Sequence, residues 1–384
     1  MEKIKMNWKI PLFKIYWDKE DIKAVTKVIK SGMNWATGEN IEKLEKDLVK
    51  YVGTKHAVMF NSGTSALHAL MIAYDIGSGD EIIVPSFTFI ATVNAPLFVG
   101  AKPIFADIEE ETFGLDPKDV EKRITRKTKA IMPIHYGGCS CKIRELKKLA
   151  KKHNLILIED AAESLGAKIG NKKVGTFGEA AMFSFCAPKV ITTGEGGAVV
   201  TNSKDIYEKL KLIRSHGRAE TENYFSSTQY MDYLTLGYNF RMSNITAALG
   251  ITQLKKIEKI IKLRRQKIAY LTKKLKDLKE IQLPIPPKNY FHLYQMYTIR
   301  IKDGLKTRDA LKNYLNKKGI MAKVYYYPVH LTYFYKKKLK YKLSLPITEK
   351  ISEQVLTLPM YPTLTKKEMD YIVKEIKNFY KNEL

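Results

Sequence analysis

Between residues 55 and 202 the sequence repeats one alternation, in which a short run rich in β-branched and apolar residues is followed by a stretch with helical spacing. The runs fall at 56–60, 81–84, 103–106, 130–134, 155–158, 181–185 and 198–201. Strands that alternate with helices mark a layered α/β domain, because each apolar sheet face needs a helix to cover it. Stretches 64–74 and 143–153 are long enough to serve as crossovers between parallel strands. The expected fold class is therefore α/β: a large domain with a mostly parallel central sheet flanked by helices.

Residues 243–279 read as one long helix, stopped by Pro284, Pro286 and Pro287, which remove backbone donors and fix φ. A strand at 294–301, a helix at 307–318, another short strand and a terminal helix from Thr365 predict a smaller C-terminal α+β domain. A chain of 384 residues suits such a pair. The boundary is placed on the long helix, giving domains 1–255 and 256–384.

The 66 basic and 40 acidic residues leave a net charge of +26, which nucleic acid, an anionic membrane or acidic small substrates could each use. Much of the excess lies at 255–280, where Ile257, Ile261, Ile268, Leu271, Leu275 and Leu278 recur at helical spacing between lysines. That pattern is a solvated helix face. No basic cluster is interleaved with aromatics in a recognition motif, so nucleic acid is not the expected partner.

Cys139, Cys141 and Cys186 make an odd set without a disulfide framework, which suits a reducing cytoplasm, and the C-x-C pair lacks further ligands for a metal. The first residues, with Glu2, Lys3, Lys5 and Lys9, lack the apolar core of a signal peptide. The uncharged stretch 82–101 has the length of a membrane span, but Pro85, Ser86, Thr88, Asn94 and Pro96 interrupt it. A buried strand followed by a helix is expected there, and a membrane is not an expected partner.

Ligand groups in α/β sheets gather beyond the carboxyl ends of strands, and Asp160 directly follows the apolar run 155–158. Taken alone it could equally be a helix cap or a solvated turn acid. Lys189 lies just past the buried run 181–185 and leads into Thr192-Thr193-Gly194-Glu195-Gly196-Gly197, where glycines let backbone approach closely. A lysine in such a place can lose its proton and form an imine with an aldehyde, while a carboxylate keeps a pyridine nitrogen protonated. This pairing is the pyridoxal phosphate (PLP) constellation; the plain alternative is a surface lysine before a hairpin. Asn61-Ser62-Gly63-Thr64-Ser65 separates a strand from a helix, where free amides and the helix dipole favour a phosphate, although a simple helix cap uses the same residue types.

These motifs resemble the DegT/DnrJ/EryC1/StrS family of PLP-dependent sugar aminotransferases. The resemblance runs through 61–66, Val84 to Thr92, Glu159-Asp160-Ala161-Ala162-Glu163, Phe183 to Gly197, Gly237 to Met242, Tyr326-Tyr327-Pro328 and Leu358 to Pro362. It implies that Lys189 forms the Schiff base and shuttles a proton, that Asp160 partners the pyridinium, and that Phe89 lies against the cofactor face. Gly63, Thr64, Ser65 and Ser184 resemble the phosphate cradle. Asn239 resembles the residue that reaches the phosphate from a neighbouring subunit, which implies a homodimer with shared active sites. Glu163 stands where the family often has glutamine or histidine near the phenolic oxygen, and Cys141-Lys142 departs from the usual aspartate in that turn.

Family members with histidine in place of the lysine are dehydratases, so Lys189 implies transamination. The implied reaction moves an amino group from L-glutamate to a keto carbon of a nucleotide-linked sugar. Tyr327 and His330 are candidates for holding a carboxylate or diphosphate, with structural roles open for both. Two other readings remain: a different PLP reaction on the same fold, since fold does not fix substrate, and a non-catalytic nucleic-acid-binding regulator served by the positive charge.

Overall fold

Asp160 and Lys189, 29 positions apart in sequence, are brought together by the order of the central strands. The computed structural model describes residues 8–219, 224–225 and 227–382. Its first half contains helices α1 (Lys19–Lys30), α2 (Glu39–Val52), α3 (Gly63–Ala73), α4 (Ile90–Phe98), α5 (Pro117–Arg123), α6 (Ile143–Lys152) and α7 (Lys204–Arg214). Its strands are β1 (His56–Phe60), β2 (Glu81–Pro85), β3 (Lys102–Ala106), β4 (Thr128–Ile131), β5 (Ile156–Asp160), β6 (Lys168–Ile169), β7 (Lys172–Lys173), β8 (Ala180–Ser184) and β9 (Gly197–Thr201).

The 7-stranded sheet has the order β1-β9-β8-β5-β4-β2-β3. Strands β8, β5, β4, β2 and β3 pair in parallel, while β9 runs antiparallel to both β8 and β1. The carboxyl ends of the parallel strands, and of β1, therefore open on one edge. Alternate residues serve opposite faces: Val58, Phe60, Met182 and Val199 pack into one core, and Ala57, Met59, Ala181, Phe183 and Val200 into another. Burial on both faces explains why these runs are continuously apolar in sequence.

The stretch expected as one helix is two, α8 (Asn244–Lys255) and α9 (Ile257–Leu275). Ser243 caps the first through Thr246 N at 3.2 Å. At the break, the Lys256 amine lies 2.8 Å from Asp18 and 2.6 Å from Asp21, binding the turn to the start of α1. An apolar period carries through such a break unaltered, so periodicity alone reads it as a single helix.

The remainder contains β10 (Ile281–Gln282), β11 (Tyr290–Phe291), β12 (Tyr297–Ile301), β13 (Val355–Leu358), α10 (Leu305–Lys317), α11 (Pro346–Gln354) and α12 (Lys366–Asn382). Strands β10, β12 and β13 form an antiparallel sheet. Leu271 and Leu275 of α9, Leu311 and Leu315 of α10, and Ile372 and Ile376 of α12 pack with it in one core. Ile10 joins this core and bridges to Ile320, so an N-terminal segment threads into the C-terminal unit. Among the described residues no helix is long and apolar enough to cross a membrane.

Candidate active site

A cavity of about 390 Å³ opens at the carboxyl edge of the sheet. Gly63, Thr64, Phe89, Asp160, Glu163, Ser184 and Lys189 line it, together with Thr92, Gln295, Lys323 and Tyr326.

Asp160 ends β5 and is 2% exposed. Its Oδ2 accepts a 2.7 Å hydrogen bond from Thr92 Oγ1, its Oδ1 accepts one of 3.1 Å from Ala162 N, and Thr92 Oγ1 is in turn 2.8 Å from Thr88 Oγ1. Burial pushes the carboxyl above its ordinary range, against the opposing pull of the Thr92 and Ala162 bonds. Among the described residues it has no ion-pair partner, so the protein supplies no counter-charge of its own at salt-bridge distance.

The strand's alternation sends the neighbouring Glu159 to the opposite face, where it is fully buried. Its oxygens accept from the amides of Gly175 (2.8 Å), Phe177 (2.7 Å) and Gly178 (2.7 Å), and His135 Nε2 lies at 2.9 Å. His135 Nδ1 accepts from Cys141 N at 3.1 Å, which leaves Nε2 to carry the proton towards Glu159. Burial raises the Glu159 carboxyl, but His135 and the amides reverse this and hold it below the ordinary range. Adjacent carboxylates thus have separate work: Glu159 anchors the strand end, and Asp160 faces the cavity.

Lys189 follows β8 in a turn closed by its own amide on Cys186 O at 3.0 Å. Its Nζ lies 3.5 Å from Glu163 Oε1. Glu163 is held from two sides, since Oε2 accepts from Gly137 N at 2.8 Å and Oε1 accepts from the Tyr326 hydroxyl. Enclosure and the Glu163 charge push that hydroxyl well above its usual range, so it stays a donor. From the C-terminal unit, Gln295 Nε2 donates to the carbonyl of Pro188, next to the lysine.

At the start of α3, Ser62 and Ser65 form a reciprocal cap, with Ser65 N donating to Ser62 Oγ at 3.0 Å and Ser62 N to Ser65 Oγ at 3.2 Å. The amides of Gly63 and Thr64 occupy the first two helical positions and have no carbonyl within the helix to bond. Glycine is required nearby: a Cβ on Gly197 would lie 2.4 Å from Ser62 O. On Gly63 it would lie 3.1 Å from Met182 Sδ. The helix start is thereby pressed against the strand ends, its positive pole directed at the cavity.

Several expected residues lie elsewhere. The Ser65 hydroxyl is spent inside the cap, donating to Asn61 Oδ1 at 2.6 Å, and does not line the cavity. Asn239 is exposed, and its carbonyl accepts from Asn61 Nδ2 at 3.3 Å. Tyr327 and His330, the candidates for substrate contact, do not line the cavity. Tyr327 is 59% exposed, whereas His330 is buried with Nδ1 2.6 Å from Ser86 Oγ and Nε2 3.3 Å from Glu349 Oε1. Tyr326, with Tyr325 before it, lines the cavity where the sequence offered Tyr327. Cys141 is buried, and Lys142 binds Glu109 at 3.5 Å and Glu111 at 3.3 Å, which holds the divergent turn.

These groups fit PLP. A buried acid with no cation bound to it, an amine, an aromatic ring at the rim (Phe89, 58% exposed) and a helix N-terminus answer the pyridine nitrogen, aldehyde, ring face and phosphate.

The sequence profile of the DegT/DnrJ/EryC1/StrS aminotransferase family matches residues 16–377. The chain belongs to this family. It is an aminotransferase. It is 38% identical over 346 residues to the GDP-perosamine synthase of Escherichia coli O157:H7, covering 90% of this chain and 92% of that protein. The structure of PseC from Helicobacter pylori, an aminotransferase involved in pseudoaminic acid biosynthesis, superposes with a TM-score of 0.91 at 33% identity, covering 97% of this chain and 99% of that one. The PLP form of Spr1654, a candidate sugar aminotransferase from Streptococcus pneumoniae, gives a TM-score of 0.91 at 27% identity, with 98% and 99% covered.

Proposed function

We propose that this aminotransferase uses PLP held on Lys189 to move an amino group from L-glutamate to a keto carbon of a nucleotide-linked sugar. The observation that carries the reading is the Lys189 amine, 3.5 Å from Glu163, facing the same cavity as the buried Asp160. The named activities of the relatives support the sugar as acceptor.

PLP, when bound, supplies the electron sink that makes the amine-bearing carbon acidic. The protein's part is orientation, charge and proton movement. Asp160, aligned by Thr92 and Ala162 N, would meet the pyridine nitrogen and keep it protonated. The amides of Gly63 and Thr64 with the Ser184 hydroxyl would hold the phosphate, and Phe89 would cover the ring. Lys189 would carry the proton as general base and acid, and Glu163, pinned by Tyr326 and Gly137 N, keeps the amine in place.

The working form is a homodimer in the cytoplasm, with Asn239 completing the partner's phosphate site. Phe13, Ile15, Trp17, Ile22, Met33 and Trp35 near the N-terminus, with Tyr233, Leu234 and Leu236 before Asn239, form exposed apolar surface of the kind that subunits cover. Units 1–255 and 256–384 act as large and small domains about the cavity.

The test is to incubate the purified protein with L-glutamate and a panel of nucleotide-linked 4-keto sugars. An amino-sugar product, together with a visible cofactor band lost in Lys189→Ala, is expected. A colourless wild-type protein removes the PLP reading, and a coloured one that aminates amino-acid keto acids but no sugar replaces the acceptor.

A further inference from the structure

Among the described residues the charged lining of the cavity consists of Asp160, Glu163, Glu195, Lys189 and Lys323. Lys189 would be committed to the cofactor and would not be free to receive a substrate anion. Asp160 is then committed to the pyridine nitrogen, and Glu163, Glu195 and Lys323 are the remaining charges that meet an incoming anion. Both substrates of the reading above are anions, L-glutamate through its carboxylates and the sugar nucleotide through its phosphates. A cavity of one sign repels substrates of that sign, and a single well-placed cation alters both the encounter and the orientation.

We propose that Lys323 is the anion anchor of this cavity, receiving a carboxylate or phosphate oxygen of the incoming substrate. The proposal rests on the transaminase reading and assigns it a specificity residue. Its geometry is built in. The backbone of Lys323 is held on both sides by β13, with Lys323 N donating to Thr357 O at 3.1 Å and Thr357 N to Lys323 O at 2.8 Å. Ala322 and Val324 on either side of it are buried, so the alternation turns Lys323 outward from those cores, on the same side as Tyr325, which also lines the cavity. The Lys323 amine stands 4.7 Å from the centre of the Tyr325 ring, a cation–π contact that narrows its rotamers while leaving its donors open.

The charge is also uncommitted. Among the described residues Lys323 has no carboxylate partner, unlike Lys14, which pairs with Glu368 at 3.3 Å. Glu195 of the lining is engaged by the Cys186 thiol at 3.5 Å. An ammonium with open donors at the wall of an otherwise acidic cavity is matched by the carboxylate or phosphate that substrates bring.

Holoenzyme carrying Lys323→Gln, Lys323→Arg or Lys323→Glu is compared with wild type after an equal cofactor band has shown that each variant folds and binds PLP. Two half-reactions are followed at that band, one with L-glutamate and one with the nucleotide keto sugar, and inorganic phosphate is titrated as a competitor. For Lys323→Gln, KM in at least one half-reaction should rise by about tenfold or more with kcat changed far less, as for loss of a contact made equally in ground and transition states. Lys323→Glu should be worse, Lys323→Arg should restore most of the loss, and phosphate should compete less well against Lys323→Gln. A shift confined to glutamate assigns the carboxylate, and one confined to the sugar nucleotide assigns the phosphate. KM within twofold of wild type in both arms, or an arginine variant as impaired as the glutamine one, overturns the proposal. If wild type aminates no nucleotide sugar, the sugar reading fails by itself, and the glutamate and phosphate measurements still decide Lys323.

Discussion

Glu163 Oε1 lies 3.5 Å from the Lys189 amine and is at the same time the acceptor of the Tyr326 hydroxyl. One oxygen thus links the cavity lysine to a residue of the C-terminal unit, and Gly137 N fixes the other oxygen at 2.8 Å. Tyr326→Phe keeps the ring and deletes the donor. A hydrogen bond to a charged group contributes about 1.5–3 kcal/mol, so kcat/KM should fall roughly 10- to 100-fold with the cofactor band intact. Steady-state kinetics on protein of matched cofactor content check this, and unchanged kinetics would mean that Gly137 N alone positions the carboxylate.

Thr92→Val removes the 2.7 Å bond to Asp160 while keeping the shape of the side chain. The carboxylate loses alignment and a partner for its charged form, and about 1.5–3 kcal/mol is at stake. The dissociation constant for PLP should rise about tenfold or more, measurable by fluorescence titration of the apoprotein.

Asp160 also gives the apoprotein a pH signature. Its carboxyl is raised in the folded state by burial. A raised acid holds its proton more tightly when folded, so its contribution to stability is complete below about 3.9, the unfolded value, and is lost as pH rises through the higher folded value. Thermal melts of the apoprotein from acid to neutral pH should therefore show a loss that Asp160→Asn removes, whereas in the holoprotein the same variant should weaken PLP binding. Parallel melts of apo wild type and variant would refute this assignment of the slope.

His292 has the opposite sign. Burial pushes its ring down to about 3, and its Nδ1 accepts from Tyr294 N at 2.9 Å. The stability it contributes is complete above about 6.5, the unfolded value, and falls as pH drops from there towards the folded value. Denaturant titrations between pH 7 and 4 should show this decline, and His292→Asn should flatten it; an equal decline in the variant would place the titrating group elsewhere.

His330→Ala leaves Ser86 and Glu349 without a shared partner. Removing one member of a buried network costs about 1–3 kcal/mol. Urea unfolding should register that loss while the KM values for glutamate and sugar nucleotide stay near wild type. A large KM increase at unchanged stability would return His330 to the substrate site.

Much of the architecture was legible because the determinants are local. The run at 56–60 is β1 without adjustment, and the others shift by one to three residues. Runs apolar at every position announce strands covered on both faces, and the serines, glycines and prolines mark where strands hand over to helices. The break at Lys256 was not legible, because it depends on Asp18 and Asp21 arriving from more than two hundred residues away. The same holds for Gln295, which touches the loop of Lys189 from the far side of the cavity.

The sequence by itself determined the α/β layering and the places of the lysine, the acid and the helix start at the ends of their strands, since each follows from residues adjacent in the chain. Only the tertiary structure decided that Tyr326 rather than Tyr327 enters the cavity, that His330 is consumed by Ser86 and Glu349, and that Lys323 stands at the wall with no carboxylate of its own among the described residues. Which side chains of this segment meet the cavity depends on how it is docked against the rest of the fold, and that docking is made by residues distant in sequence. Here it is made against β13, through the two hydrogen bonds between Lys323 and Thr357.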